Sequence, residues 1–218
     1  MQPTHVSPVD TLYFAPGAAS MLVHWLLLEL EIPHALQRVD TAAGEQKRPS
    51  YLALNPNGVV PTWVCDGKPM GEAAAIAMTL ADQHPAKHLA PAAGDSLRAS
   101  YNQWMFHLAN ALQPLFRLWW YPQEAAGADR ADAVREHTHP RIEAAWDRID
   151  AHLAGGGPYL LGDTLSVPDF YLTMLMRWSR AMPRQATDWP HLSALAQRMK
   201  ARASFAVLYQ REDLSEWT

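Results

Sequence analysis

The sequence feature that most constrains the fold is the segment at residues 55–61, which reads Asn-Pro-Asn-Gly-Val-Val-Pro. Residues 62–65, Thr-Trp-Val-Cys, follow it with the composition of a short strand. Proline has no N–H to give to a sheet, so it is confined to sheet edges or to the first position of a strand. Pro61 therefore predicts a strand start. If the bond between Val60 and Pro61 is cis, the N–H and C=O of Val60 turn outward and can pair with an extended ligand as an added strand.

A second feature lies eleven residues further on, where Glu72 precedes the alanine-rich run at 73–77. The run predicts a helix, so the Glu72 carboxylate lies beside unpaired backbone N–H groups. Such a site can hold a zwitterionic amino-acid end, because the carboxylate binds the ammonium and the helix start binds the carboxyl group. Either feature alone is common as a turn or as dipole compensation. Their order along the chain predicts a clamp for a small peptide.

Composition limits the kind of protein this chain can form. Its 218 residues, 49% hydrophobic and 18% charged, suffice for one large core or two smaller ones. The formal net charge of −4 provides no basic surface for nucleic acid. The single cysteine excludes an internal disulfide and fits a reducing compartment. The apolar stretch at 21–30 is too short to span a bilayer. We therefore expect a cytoplasmic protein without a membrane or nucleic-acid partner.

The first 84 residues alternate strand and helix patterns. The predicted elements are strands at 11–14 and 35–39, helices at 21–30 and 72–83, and a hairpin at 61–70 around Asp66-Gly67. The order is βαβ followed by ββα, which is the thioredoxin-like arrangement. Residues 85–94 contain two prolines and several alanines and are predicted to be a linker.

Residues 95–218 show only helical patterns and predict an all-α domain. Two long helices are expected at 96–120 and 129–153, with Pro114 bending or ending a turn of the first. Residues 166–169, Ser-Val-Pro-Asp, resemble a capping box ahead of an apolar helix, with Asp in place of the usual Glu. The predicted fold class is therefore an α/β thioredoxin-like N-terminal domain followed by an all-α C-terminal domain.

Four passages give the chain a resemblance to the cytosolic glutathione transferase superfamily, most of all to its bacterial beta-type branch. They are residues 12–20 (Leu-Tyr-Phe-Ala-Pro-Gly-Ala-Ala-Ser), 55–61, 71–76 (Gly-Glu-Ala-Ala-Ala-Ile), and 159–163 (Tyr-Leu-Leu-Gly-Asp) with 166–169. They occur in the family's order and spacing over nearly the whole chain. The resemblance implies glutathione as co-substrate, no metal, and a homodimer. It places the glutathione site in residues 1–84 and an electrophile site with residues 95–218.

The resemblance also assigns roles at the clamp. Val60 would pair its backbone with the cysteinyl part of glutathione, beside a cis Pro61. Glu72 and the N–H of Ala73 would hold the γ-glutamyl end. The family commonly has Ser where this chain has Ala73, and the missing hydroxyl removes a hydrogen bond worth about 0.5–1.5 kcal/mol. We therefore expect modest affinity for glutathione.

The sulfur end of the site departs from the branch pattern. A thiol with a pKa near 8.5 is mostly protonated at neutral pH, so the protein must favour the thiolate. The branch uses a Cys where this chain has Ala19, which argues against disulfide-exchange chemistry. Cys65 is predicted to be a small buried hydrophobe. Ser20 is the best remaining thiolate partner, acting from the start of the first helix, although Ser at such a position can also simply cap the helix.

The branch places a His-Lys pair opposite the sulfur, and this chain has Ala109 and Asn110 there. The Asn110 amide could donate to a thiolate. Tyr101 and Trp104, on the same predicted helix, either line an apolar electrophile pocket or belong to plain core. The resemblance implies a glutathione transferase that conjugates the thiolate to small apolar electrophiles. The absent Cys and His-Lys pair leave open a non-catalytic relative that binds a ligand or a partner protein.

Overall fold

The computed structural model describes residues 9–217, which form two compact units. The first unit extends to His84 and also contains Ala203–Glu216, whereas the second contains Pro85–Arg202 and Trp217. The two units divide after His84, and residues 85–94 belong to the second unit. The structure differs at the C-terminus, because Ala203–Glu216 packs in the first unit and not in the all-α domain.

Residues 11–83 form the sheet and the first helices. The elements are β1 (Thr11–Phe14), α1 (Ser20–Glu29), β2 (Ala35–Arg38), α2 (Pro49–Leu52), β3 (Thr62–Cys65), β4 (Lys68–Met70) and α3 (Ala73–Gln83). The strand order is β2-β1-β3-β4, with β1 and β2 parallel and β3 antiparallel to β1 and β4. The predicted βαβ-ββα fold is confirmed.

The segment at residues 85–212 is mainly helical. It contains α4 (Arg98–His107), a π-helical segment (Leu108–Leu112), α5 (Gln113–Trp120), α6 (Pro122–Ala126), α7 (Ala131–Gly156), α8 (Val167–Trp178), α9 (Pro190–Lys200) and α10 (Ala203–Glu212). Short 3-10 turns lie at Glu45–Lys47, Pro85–Lys87, Ala128–Arg130, Ser179–Ala181 and Ala186–Asp188. Within residues 9–217, no helix is both long and apolar enough to cross a bilayer.

The long helix predicted at 96–120 is interrupted by the π-helical segment. Pro114, in the first turn of α5, has no N–H to donate to the carbonyl of Asn110 four residues earlier. The wider turn accommodates this missing bond, which is the usual cause of such an interruption. Asn110 consequently lies on irregular helix rather than on a regular helical face.

Helix α1 forms the centre of the first unit. Its residues from Ser20 to Leu27 are all buried, as expected for a helix that is apolar on every side. It packs against β1, α3 and α10. Leu12 and Phe14 of β1 alternate inward toward the core. The start of α1 is therefore held firmly next to the end of β1.

The start of α8 is fixed by the predicted capping box. Oδ2 of Asp169 accepts the Ser166 N–H at 2.8 Å, and Oδ1 accepts the Leu160 N–H at 2.9 Å. Burial raises the pKa of the Asp169 carboxyl to about 7, while these donors lower it. The short Asp side chain thus performs the function usually given to Glu.

Candidate functional site

The loop before β3 is held by two side chains that converge on one carbonyl. The Tyr51 hydroxyl donates to the carbonyl of Val59 at 2.8 Å, and Nδ2 of Asn55 donates to the same oxygen at 2.9 Å. Because the Tyr51 proton goes to Val59, the Thr62 hydroxyl, 2.8 Å away, donates to Tyr51. These bonds fix the course of the chain as it reaches Val60.

Val60 follows this anchored carbonyl and leaves its own backbone unpaired. The bond between Val60 and Pro61 is cis. Nowhere in residues 9–217 is there a hydrogen-bond partner for the N–H or the C=O of Val60. An extended ligand can therefore pair with both groups, which is the geometry that the sequence predicts for this position.

Glu72 stands directly before α3 in an unusual backbone conformation. Its φ is +65°, a region that costs a non-glycine residue about 1–3 kcal/mol and that is concentrated at functional sites. Its side chain is exposed and makes no capping bond to α3. In the described part of the chain, the N–H groups of Ala73, Ala74 and Ala75 have no acceptor. The carboxylate and these donors together form a site for a zwitterionic group.

The two features are neighbours in space. Asn55 is only 5% exposed and lies against Gly71, the residue before Glu72. A β-carbon at Gly71 would come 3.5 Å from Nδ2 of Asn55. The side chain that anchors Val59 therefore also contacts the backbone that leads into Glu72. One corner of the first unit presents both a free extended backbone and an acidic helix start.

Ser20 has local partners that the sequence does not reveal. It is fully buried, its hydroxyl donates to the Ala15 carbonyl at 3.1 Å, and its oxygen accepts the Ala15 N–H at 3.2 Å. The N-cap of α1 is Ala19, without a side-chain capping bond, so the simple capping role is wrong. The only proton of the Ser20 hydroxyl is directed at Ala15, and its role toward sulfur stays a prediction.

The backbone at the start of α1 offers other donors. The N–H groups of Ala19 and Ser20 have no acceptor within residues 9–217. Ala19 is half-buried and occupies the position where the sequence comparison with the beta-type branch expects Cys. Unpaired N–H groups at the positive end of a helix dipole favour an anion. They can therefore stabilise a thiolate without any side-chain hydroxyl.

The candidate residues of the second unit differ in exposure. Tyr101 is fully buried, and the Arg98 guanidinium lies 5.2 Å from the centre of its ring. Trp104 is half-buried, with its ring 4.8 Å from that of His152. Asn110 is exposed. Tyr101 is thus enclosed by protein, whereas Asn110 lies open to solvent.

Cys65 lies on β3 and is half-buried rather than fully buried. Burial raises the pKa of its thiol, and the neighbouring Asp10 and Asp66 raise it further. A thiol of raised pKa is a poor nucleophile at neutral pH. Among the described residues, no group of three or more His, Cys, Asp or Glu side chains is arranged to hold a metal ion.

The part that Tyr51 and Asn55 play leaves no clear signal in the sequence. Asn55 lies in the segment at 55–61 that contributes to the family resemblance, but Asn before Pro by itself indicates only a turn. Tyr51 belongs to the four-residue helix α2, which is too short to show a hydrophobic period. Tyr51 lies near Val59 because the loop that follows α2 folds back on it. No local sequence pattern predicts this fold-back.

Comparison with known proteins identifies the family. The model of the glutathione S-transferase N-terminal domain matches residues 19–83, and that of the C-terminal domain matches residues 109–207. The chain is 34% identical to glutathione S-transferase GST-4.5 of Xanthomonas campestris, a match that covers 94% of this chain and 99% of that protein.

Solved structures agree. A glutathione transferase homologue from Sulfitobacter with bound glutathione has a TM-score of 0.86 and 28% identity, covering 93% of this chain and 98% of the other. A beta-class glutathione S-transferase from Sphingomonas chungbukensis has a TM-score of 0.83 and 25% identity, covering 94% and 100%. These matches confirm the family predicted from the four sequence passages and favour the catalytic interpretation over the non-catalytic one. The chain belongs to the glutathione S-transferase family.

Proposed function

We propose that this protein conjugates the thiolate of glutathione to small apolar electrophiles, with glutathione as co-substrate. The observation that carries the proposal is the corner at which the free backbone of Val60 and the acidic helix start at Glu72 lie together. A γ-glutamyl tripeptide has the groups that fit it. Its extended middle residue pairs with Val60, and its zwitterionic end binds Glu72 and the N–H of Ala73.

The chemistry requires a thiolate placed near the start of α1. Addition to an activated alkene or displacement on an aromatic ring needs only the anion, correct placement and an apolar pocket. Without a Cys at position 19, the protein has no thiol there for a mixed disulfide. Direct conjugation is therefore the reaction that these residues support best.

The proposal is tested by titrating the ultraviolet absorbance of the thiolate of bound glutathione, with S-methylglutathione as the blank. We expect a thiol pKa below the ordinary value of about 8.5, together with turnover of a generic chloronitrobenzene. An unshifted pKa with no turnover would contradict conjugation and leave the non-catalytic alternative, a protein that binds glutathione, an apolar ligand or a partner.

The thiolate donor is a separate question. Ser20 is the proposed side-chain donor, but its hydroxyl would have to leave the Ala15 carbonyl, whereas the N–H groups of Ala19 and Ser20 are already free. If the hydroxyl donates, Ser20→Ala lowers kcat/KM by about 10²-fold, the usual effect of losing one anion donor. If the backbone donates, Ser20→Ala retains most of the activity and mainly lowers thermal stability.

The remaining proposals concern the electrophile, the assembly and the location. Trp104 is the candidate to contact the electrophile, with Tyr101 supporting it from the core, and Asn110 is a candidate amide donor to the thiolate. We also propose a cytoplasmic homodimer. Sedimentation equilibrium tests the dimer, and a series of aromatic electrophiles of increasing size, assayed with Trp104→Ala, tests the pocket. Thiolate titration of bound glutathione in Asn110→Ala tests the amide donor.

A further inference from the structure

We propose that Glu212, on the C-terminal helix α10, is a positioning residue for the sulfur end of the glutathione site. It holds the loop between β1 and α1 through the N–H of Gly17. The inference rests on the proposed function, because it concerns where the glutathione sulfur lies. It adds a residue from the far end of the chain, outside both the clamp and the four sequence passages.

The Glu212 carboxylate is buried and uses both oxygens. Oε2 accepts the N–H of Gly17 at 2.7 Å, and Oε1 lies 2.8 Å from Nδ1 of His24. The side chains of His24 and Glu212 are both 0% exposed. A carboxylate enclosed in this way is tolerated only when its oxygens are paired. Hydrogen bonds to a charged acceptor are also shorter and stronger than neutral ones.

Gly17 lies in the middle of the loop that ends at Ala19, beside the free N–H groups at the start of α1. Its φ is +65°, a conformation that glycine adopts readily. Within the loop itself the backbone bonds are short-range, such as the one from the Ala18 N–H to the Ala15 carbonyl at 3.1 Å. The bond to Glu212 instead joins residues 195 positions apart in the sequence. It ties the loop to a separate helix.

His24 extends the same connection into α1. Its ring lies 5.8 Å from that of Phe14 on β1 and 5.6 Å from that of His34. Its Nε2 has no hydrogen-bond partner in residues 9–217, so the ring is oriented through Nδ1 alone. Glu212 therefore fixes two elements that meet at the sulfur position, the loop through Gly17 and the first turns of α1 through His24.

A second polar connection between α1 and α10 provides a matched control. Nε1 of Trp25 donates to the Ser204 hydroxyl at 2.9 Å, and that hydroxyl donates to Glu29. These contacts fasten the start of α10 to the middle and end of α1, away from the loop. Loss of Ser204 weakens the packing of α10 without releasing Gly17.

The test compares Glu212→Ala, Glu212→Gln and Ser204→Ala by thiolate titration of bound glutathione and by calorimetric affinity. We expect Glu212→Ala to raise the bound-thiol pKa by about one unit, which lowers the thiolate fraction and kcat by up to about tenfold, the full factor being reached at pH values below the wild-type pKa. Affinity should change little, because Val60 and Glu72 are untouched. Glu212→Gln retains an oxygen that can accept the Gly17 N–H, so its bound-thiol pKa should stay close to the wild-type value. Ser204→Ala should leave the thiol pKa at the wild-type value.

Amide hydrogen exchange at Gly17 keeps the inference testable if Glu212→Ala does not fold. In Glu212→Gln the weaker bond should speed exchange at Gly17 and raise the thiol pKa by a smaller amount. If the bound-thiol pKa is lowered in the wild type and stays equally low in every folded Glu212 variant, the inference about Glu212 is overturned but the proposed function is not. An equal rise in Ser204→Ala also overturns it, by assigning the effect to general loosening of α10. A wild-type thiol pKa equal to that of free glutathione overturns the proposed function, and the inference with it.

Discussion

The two ends of the candidate site are built in different ways. At the clamp, the anchors of Val59 are Tyr51 and Asn55, at most eight residues away. At the sulfur end, Gly17 is held by Glu212 from the last helix of the chain. The clamp is therefore a local structure that depends on one loop and one helix start. The sulfur end depends on tertiary packing, so distant changes can alter the state of the sulfur while binding is preserved.

The largest effect we expect concerns the capping box of α8, which, like the clamp, is built from residues close together in the sequence. Asp169→Ala leaves the buried N–H groups of Leu160 and Ser166 without their acceptor. The cost in the free energy of unfolding should be about 2–4 kcal/mol, measured by urea denaturation. Asp163→Ala, an exposed neighbour, is the control. A decrease of less than 1 kcal/mol in the free energy of unfolding would mean that local polar motifs contribute less to this fold than the comparison of the clamp with the sulfur end assumes.

The same carboxyl predicts a pH dependence with a definite sign. Its pKa in the folded protein, about 7, is above the value of 3.8 expected for the unfolded chain. Between these values the folded state holds the extra proton, so the stability contributed by this group is present at low pH and is lost as the pH rises through 7. Relative to Asp169→Asn, the wild type should gain stability from pH 8 to pH 5. The opposite slope would show that the hydrogen bonds outweigh burial.

The next effect concerns the clamp itself. Glu72→Gln removes the charge that we propose binds the ammonium group of glutathione, and charged hydrogen bonds are worth about 1.5–3 kcal/mol. Calorimetry should show glutathione affinity falling by roughly ten- to a hundredfold. The melting temperature should be unchanged, because Glu72 is exposed and makes no capping bond. Glu124→Gln, at an exposed carboxylate paired with Arg117, is the control. Equal affinity in both variants would remove Glu72 from the site.

A smaller effect follows from the anchors behind Val60. Tyr51→Phe removes one of the two hydrogen bonds to the Val59 carbonyl and also the acceptor of the buried Thr62 hydroxyl, while it retains the ring, at a cost of about 1–3 kcal/mol. Glutathione affinity should fall a few-fold while the bound-thiol pKa stays at its wild-type value. A shift in that pKa would contradict the proposal that the clamp and the sulfur end act independently.

The smallest effect that we expect is a gain in glutathione affinity. Ala73→Ser supplies the hydroxyl that the resemblance expects after Glu72, and one added hydrogen bond is worth about 0.5–1.5 kcal/mol net. We expect tighter glutathione binding by a few-fold, with kcat unchanged. Ala74→Ser, one position further along α3, is the matched control and should bind as the wild type does. A wild-type affinity in Ala73→Ser would locate the γ-glutamyl carboxylate elsewhere.

What the sequence could predict depends on how far apart the interacting groups lie. Pro61 and Glu72 mark a strand start and a helix start through their own backbone chemistry, and Ser166 and Asp169 share a three-residue spacing. These interactions leave a pattern in the chain. The bond from Glu212 to Gly17 leaves none, because no periodicity connects residues so distant. For the same reason, the sequence predicts that residues 203–212 belong to the all-α domain, whereas in the structure α10 is part of the first unit.

Side-chain environment was harder to predict than the secondary elements. Helical spacing correctly indicates that Tyr101 faces apolar surroundings, but it does not distinguish a pocket wall from a closed core. Ser20 has the residue type and position of a thiolate donor, yet its proton goes to Ala15. The competition for that proton is decided by the turn geometry between β1 and α1. Pattern alone cannot supply that geometry.

The membership of α10 in the first unit also has a consequence for biosynthesis. The sheet and α1 leave the ribosome first, but α10 is made only after the whole second unit. Until then, His24 has no carboxylate beside it, Gly17 has no acceptor on α10, and the face of α1 that α10 covers stays open to water. A fragment that ends at residue 84 would contain the clamp and remain incomplete at the sulfur end. An early part of the site is thus completed by a segment that is synthesised only after the second unit.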